Sequence, residues 1–255
     1  MQDLKVGILQ FNQVWQDKMS NYECVHSFVK DAKDLDLLLL PEMFHTGFSM
    51  DVSIADDWSN SEGIKFLQDL SSKLDIAIYT SMTVKDGQYF NRGVFVRPDG
   101  RIHTYDKRKS FGLGGEDQYF TVGNSETIVE LRGWRINLQI CYDLRFPELI
   151  RNRIDEKGRA AYDLLLYVAN WPQTRIQHWD ILLGARAIEN QCYVLACNRV
   201  GTDGNALVYN GHSQAIDLFG NSLLAPTEQE GLSVVKLGYQ HLQDGRNRLP
   251  FLKDA

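Results

Sequence analysis

The strand-like run Ile136-Asn137-Leu138-Gln139-Ile140 delivers a thiol, Cys141, into the abruptly polar segment Tyr142-Asp143-Leu144-Arg145-Phe146-Pro147-Glu148. A thiolate so placed can attack a carbonyl carbon, although a free cysteine more often behaves as a small buried hydrophobe. Cys24, Cys192 and Cys197 take that second reading. Cys24 interrupts a helical pattern, the other two sit in an apolar strand, and no activating base adjoins any of them. Thiol attack on an amide needs a base for the thiol proton, an acid for the departing nitrogen, and donors for the oxyanion. One carboxylate can perform both proton transfers. Glu42, directly after Pro41, is a candidate, though a glutamate there is commonly a solvated loop residue or a helix N-terminal charge. The cluster Tyr105-Asp106-Lys107-Arg108-Lys109 could stabilise an oxyanion, though a charge run is usually a solvated face.

These residues need elements that bring them together. Lys5 to Asn12 has strand composition, and Tyr22, Val25, Phe28, Val29 and Ala32 follow at helical spacing. The apolar run at residues 36 to 40 is stopped by proline and suits a strand buried on both faces, which puts Glu42 just beyond its carboxyl end. Ser61 to Leu74 predicts a helix and Ile76 to Val84 a strand. Strand-like segments flank the turn residues Pro98-Asp99-Gly100, and two more flank Arg132-Gly133, predicting hairpins. Residues 163 to 169 repeat the flavour of residues 36 to 40, end at Asn170-Trp171-Pro172 and precede a helix from about Ile176 to Asn190, so a weak internal duplication is one reading. Cys192 to Val200, Gln214 to Phe219 and Leu232 to Leu237 supply the last strands, and the polar tail from Gln240 has no clear period. Nothing resembling a linker divides the chain, so a single mixed α/β domain over residues 1–255 is expected. Open α/β sheets bind ligands at the carboxyl ends of their strands. Glu42, Cys141 and Asn170 each follow an apolar run and could meet there.

Composition narrows the function classes. The 255 residues are 44% hydrophobic and 24% charged, as in ordinary soluble domains. A net charge of −6 argues against a nucleic-acid partner. No apolar run approaches a bilayer span and the N-terminus has no leader pattern, so no membrane partner and a cytoplasmic location are expected. The four cysteines form no C-x-x-C, zinc or disulfide spacing, which reads as reduced thiols.

Taken together, the motifs resemble the nitrilase superfamily of carbon–nitrogen hydrolases over nearly the whole chain, with its glutamate–lysine–cysteine triad. The glutamate segment is similar to Leu39-Leu40-Pro41-Glu42-Met43-Phe44, the lysine segment to Tyr105-Asp106-Lys107-Arg108, and the cysteine segment to residues 140 to 148. Arg186-Ala187-Ile188-Glu189-Asn190 and Gly211-His212-Ser213-Gln214 also resemble family segments. The resemblance implies a four-layer αββα sandwich with two mixed β-sheets, and a homodimer or larger homo-oligomer paired through helices beside the active sites. It implies Glu42 as the base, Lys107 and the backbone N–H of Tyr142 as oxyanion donors, Cys141 as nucleophile, and Glu116 as the carboxylate orienting the lysine. Without the resemblance, Glu116 sits in a glycine loop, Gly112-Leu113-Gly114-Gly115, that lacks a phosphate-binding signature. Lys109 and Ser110 depart from the family, which often has a histidine and an aliphatic residue there, so Lys109 competes with Lys107 for the substrate-facing place. No metal or organic cofactor is required.

The cysteine segment most resembles the omega-amidase branch, whose small substrates bear a carboxylate. Phe44, Arg145, Trp171 and Arg175 are the substrate-binding candidates, although for Arg145 pairing with Glu148 or Asp143 is the favoured reading. Other carbon–nitrogen hydrolases of the superfamily, acting on N-carbamoyl amino acids, aliphatic amides or nitriles, are the nearest alternative. A non-catalytic metabolite- or partner-binding protein would leave the complete triad unexplained. A thiol redox protein would lack a resolving cysteine nearby in sequence.

Overall fold

Alternation along the strands decides which side chains meet. Leu37 and Leu39 enter one hydrophobic core and Leu38 and Leu40 another, as do Ala77 and Tyr79 against Ile76 and Ile78. Strands apolar on both faces need a cover on each side. The computed structural model, which describes residues 2–32 and 34–254, provides both covers.

In chain order the strands are β1 (Leu4–Gln10), β2 (Leu37–Leu39), β3 (Asp56–Asp57), β4 (Ala77–Asp86), β5 (Gln88–Val96), β6 (Ile102–Asp106), β7 (Ile128–Leu131) and β8 (Trp134–Ile140). Then come β9 (Leu164–Val168), β10 (Tyr193–Cys197), β11 (Val200–Thr202), β12 (Val208–Asn210), β13 (Gln214–Ile216), β14 (Ser222–Leu224) and β15 (Gly231–Leu237). One sheet runs β15-β1-β2-β4-β5-β6, with β3 beside β4, and the other runs β14-β13-β10-β9-β8-β7. Each has a parallel centre, β1/β2/β4 and β8/β9/β10, with antiparallel neighbours on its flanks.

The inner faces form one core, where the Tyr79 hydroxyl donates across the interface to the carbonyl of Gln139 at 3.0 Å. Helices α1 (Lys18–Val29) and α2 (Glu62–Leu74) cover the first sheet with Val25, Val29, Leu67 and Leu70. Asp17 and Ser61 cap them, accepting the N–H of Ser20 and of Ile64, each at 3.0 Å, bonds worth about 1 kcal/mol apiece. Helix α3 (Ile176–Asn190) lays Trp179, Leu183 and Ala187 on the second sheet. The result is the expected four-layer αββα sandwich with two mixed sheets.

Two local expectations fail. The tail forms a helix, α4 (Tyr239–Arg248), with Leu242 buried and Arg246 bonded to the Asp163 carboxylate at 2.7 Å and the Tyr162 carbonyl at 2.8 Å. Those contacts come from distant sequence, so no local period announces the helix. The strand expected over Cys192 to Val200 stops at Cys197; Asn198 and Arg199 intervene, and β11 pairs instead with β12 in a separate ribbon. Among the described residues, no helix is long and apolar enough to cross a membrane.

One glycine matters for the site. The Gly123 N–H donates to the Lys107 carbonyl at 2.9 Å, and a Cβ on Gly123 would lie 2.1 Å from the Asp106 carbonyl oxygen. Gly123→Ala is expected to lower stability by about 1–3 kcal/mol through this backbone clash, read as a lower urea midpoint.

Candidate active site

Glu42, Lys107, Cys141 and Asn170 all lie just past strand ends, and the two sheets bring those ends together. Beyond Glu42 the chain turns at Met43, φ +46°, and the N–H groups of Thr46 and Gly47 return to the Met43 carbonyl at 3.0 and 2.9 Å. The Glu42 side chain is fully buried. Its Oε1 accepts from Lys107 Nζ at 2.9 Å and from Asn91 Nδ2 at 2.8 Å, while Oε2 accepts the Asn170 N–H at 2.9 Å. Lys107 Nζ also donates to both oxygens of Glu116, at 3.0 and 2.9 Å, and stands 5.2 Å from the centre of the Phe48 ring. Glu116 is fixed in turn by the Phe111 N–H at 2.6 Å.

Burial alone would pull the Lys107 pKa down, but the carboxylates of Glu116 and Glu42 outweigh it and hold the ammonium above the usual lysine range. Lys107 is thus favoured as a cation between two carboxylates, an arrangement suited to holding an oxyanion. Lys109 lies elsewhere, its Nζ 3.7 Å from Glu148 and 4.7 Å from the centre of the Phe146 ring. Arg108 spends its guanidinium on the Leu149 carbonyl and the Tyr105 hydroxyl.

Cys141 opens a tight 3₁₀ turn, Cys141–Arg145, at φ +44°, a backbone costing about 1–2 kcal/mol for a residue with a Cβ. Asp143 holds the strained elbow. Its carboxylate accepts the N–H of Ile140 at 3.1 Å, the N–H of Lys109 at 3.0 Å and the Tyr105 hydroxyl at 2.8 Å, tying the cysteine turn to the end of the lysine strand. Burial pushes the Asp143 pKa up to about 6, against the pull of Lys107 and these donors. The Cys141 thiol is pushed well above its ordinary range, by burial first and by the Glu42 charge second, with Lys107 opposing. At neutral pH it is a thiol, and reaction requires a neighbouring acceptor for its proton. Its Sγ lies 3.9 Å from the Asn170 carbonyl oxygen.

A cavity of about 100 Å³ opens onto Cys141. Tyr142, Phe48, Phe111 and Trp171 line it, and Arg145 and Arg175 enter from the side. The Arg145 guanidinium sits 4.8 Å from the centre of the Trp171 ring and 3.1 Å from His178 Nδ1; that of Arg175 sits 5.0 Å from the centre of the Phe111 ring. Neither has a carboxylate within 4.0 Å among the described residues. The pairing of Arg145 with Glu148 or Asp143 does not form. Asp203, on the same wall, accepts the N–H groups of Asn205 and Leu207 and the Tyr209 hydroxyl. Among the described residues, no group of three or more His, Cys, Asp or Glu side chains is placed to hold a metal ion.

The sequence pattern of the carbon–nitrogen hydrolases matches residues 5–247. The chain belongs to the carbon–nitrogen hydrolase family. Full-length relatives of this hydrolase agree. The omega-amidase YafV of Yersinia enterocolitica is 41% identical, over 100% of this chain and 98% of the relative. A 2-oxoglutaramate amidase of Bacillus subtilis is 32% identical, over 98% and 96%. The crystal structure of XC1258 from Xanthomonas campestris, a CN-hydrolase superfamily protein with an arsenic adduct in its active site, superposes with a TM-score of 0.98 at 38% identity, covering 100% of this chain and 98% of that one.

The hydrolase fold thus brings together Glu42, Lys107, Glu116, Cys141, the backbone of Tyr142, Trp171, Arg145 and Arg175. It does not bring Phe44 to the cavity. That ring is fully buried behind the loop, 5.9 Å from Tyr22 and 6.1 Å from Phe66, and Phe48 stands at the cavity instead. Sequence reasoning also missed Asn91 and Asp143. The signal for Asn91 was a lone amide in Tyr89-Phe90-Asn91-Arg92-Gly93-Val94, at a position where strands favour aromatic or β-branched residues.

Proposed function

We propose that this carbon–nitrogen hydrolase is a single-domain omega-amidase that converts a small carboxylate-bearing amide, such as 2-oxoglutaramate or 2-oxosuccinamate, to the acid and ammonia. The observation that carries the substrate class is the pair of half-buried guanidiniums, Arg145 and Arg175, held against aromatic faces without a carboxylate of their own. A substrate carboxylate supplies the missing charge. The names of the relatives in Yersinia enterocolitica and Bacillus subtilis support the same class.

In this reading Glu42 takes the Cys141 proton as sulfur attacks the amide carbon. Lys107 and the Tyr142 N–H receive the developing oxyanion; the first N–H groups of a helical turn have no acceptor within it, which suits that role. The C–N bond breaks, Glu42 returns the proton to departing ammonia, and the thioester remains. Water, deprotonated by Glu42, then releases the acid and the thiol. Glu116 keeps the ammonium of Lys107 in place throughout.

The test is ammonia release from 2-oxoglutaramate and succinamate beside neutral amides, a nitrile and an N-carbamoyl amino acid, with Cys141→Ala as control. Activity confined to the acidic amides is expected; activity only elsewhere sinks the substrate class and spares the mechanism. Arg145→Met and Arg175→Met are each expected to raise KM for the acidic amides by roughly 10- to 100-fold, the loss of one charged hydrogen bond, and to leave neutral amides unaffected.

The same proposal includes a homodimer in the cytoplasm. Ile181 and Ile188 are 62% and 54% exposed on α3, an apolar stripe that a second copy would cover. The four unpaired cysteines suit a reducing compartment.

A further inference from the structure

We infer that Asn91 is a positioning residue that selects which oxygen of Glu42 carries the catalytic proton, an assignment that rests on Glu42 being the base. Asn91 lies in β5, 2% exposed, and its Nδ2 donates to Glu42 Oε1 at 2.8 Å and to Glu116 Oε1 at 3.0 Å. Lys107 Nζ reaches the same Glu42 oxygen at 2.9 Å. Two nitrogen donors therefore occupy both lone pairs of Oε1. Oε2 receives one donor, the Asn170 N–H at 2.9 Å, and so keeps the lone pair that is free for the thiol proton.

Charge fixes the orientation of the amide. Turned over, Oδ1 would face two carboxylate oxygens; as it stands, Oδ1 is buried without a partner among the described residues, and the side chain is held through Nδ2. An unpaired buried acceptor opposes folding, and the two bonds on Nδ2 offset it. The backbone adds a further link, because the Asn91 carbonyl accepts the Lys107 N–H at 3.0 Å. One residue thus sets the lysine and both acids.

The charge count explains why a neutral donor is needed. Glu42 and Glu116 share one cation, Lys107, so the buried group is net negative. Asn91 Nδ2 donates to both carboxylates, bonds that favour their charged forms, and a protonated Glu42 cannot take the thiol proton.

The experiment compares Asn91→Ala and Asn91→Asp with the parent enzyme, measuring kcat and KM against pH, and the rate of Cys141 alkylation by iodoacetamide against pH as a readout independent of turnover. For Asn91→Ala, kcat should fall roughly 10- to 100-fold with KM nearly unchanged, as for a slightly misplaced base. The acidic limb of both profiles should move to higher pH. Asn91→Asp, close to the same shape, can donate only when its own carboxyl is protonated. It should gain an alkaline limb that the parent lacks and recover on acidification, and it carries the test if the alanine variant does not fold. A lower kcat with unmoved pH limbs would mean that Asn91 only packs, and a parent-like profile for Asn91→Asp would likewise overturn the inference. Glu42→Gln separates the two claims: if it stays active, the base assignment fails and this inference falls with it. If it is dead while the Asn91 profiles are unmoved, the inference alone fails.

Discussion

Cys141→Ala should reduce kcat by roughly 10⁴-fold or more, the scale on which a covalent nucleophile is lost, and change the stability of the fold by no more than about 1 kcal/mol. The thiol lines a cavity, and the elbow that presents it is held by backbone and Asp143 contacts that an alanine leaves intact. Mass spectrometry of the parent enzyme quenched during turnover should show an acyl adduct on the peptide containing Cys141, and the alanine variant should show none. Normal turnover by Cys141→Ala would end the thioester mechanism.

Lys107→Met should have the largest effect on stability as well as silencing the enzyme. It removes the cation that Glu42 and Glu116 share, and side-chain exposures of 0% and 1% give those acids no water in its place. Breaking a buried pair from one side costs about 3–5 kcal/mol. The sign of the pH dependence follows from proton uptake. The folded variant would hold a proton between its two acids at a pH where the unfolded chain holds none, so its stability falls as pH rises. In the parent enzyme, Lys107 acts with the same sign but at far higher pH. Its pKa is raised in the fold, so its contribution is fully present below the ordinary lysine range and fades only as the pH climbs through the raised value. Urea titrations at pH 5 and pH 8 should therefore show the gap between parent and variant widening toward pH 8. A gap that narrows would contradict the placement of Lys107 between two ionised acids.

The sequence announced Glu42 and Cys141 for a physical reason: each comes just after an apolar strand-like run that is legible locally, whereas Lys107, in a charge run, was singled out by the family resemblance. One step further the signal fades. After Glu42 the positive φ of Met43 ends the two-residue alternation, so the sequence could not tell that Phe44 turns into the core while Phe48 comes back to the lysine. Asn91 was hidden because its partners, Glu42 and Glu116, lie on other loops, and one amide in a strand does not declare its contacts. Helix α4 was hidden for the same reason, since Arg246 finds Asp163 and Tyr162 across the fold. The layers were readable because Leu37 to Leu40 is apolar on both faces and so demands two covers.

The way the chain is laced between its sheets has a further consequence. Glu42, Lys107 and Glu116 belong to the first half of the chain, Cys141 and Asn170 to the second, and the segment between them passes through exposed Asn124 and Ser125. Strand β15, from the far end of the second half, returns to pair with β1 along Leu4 to Gln10. Neither half carries the whole group of reacting residues, and the first half cannot complete its sheet without β15. Because the reacting residues come from both halves and a late strand borders the first, turnover in this protein depends on long-range assembly of the chain.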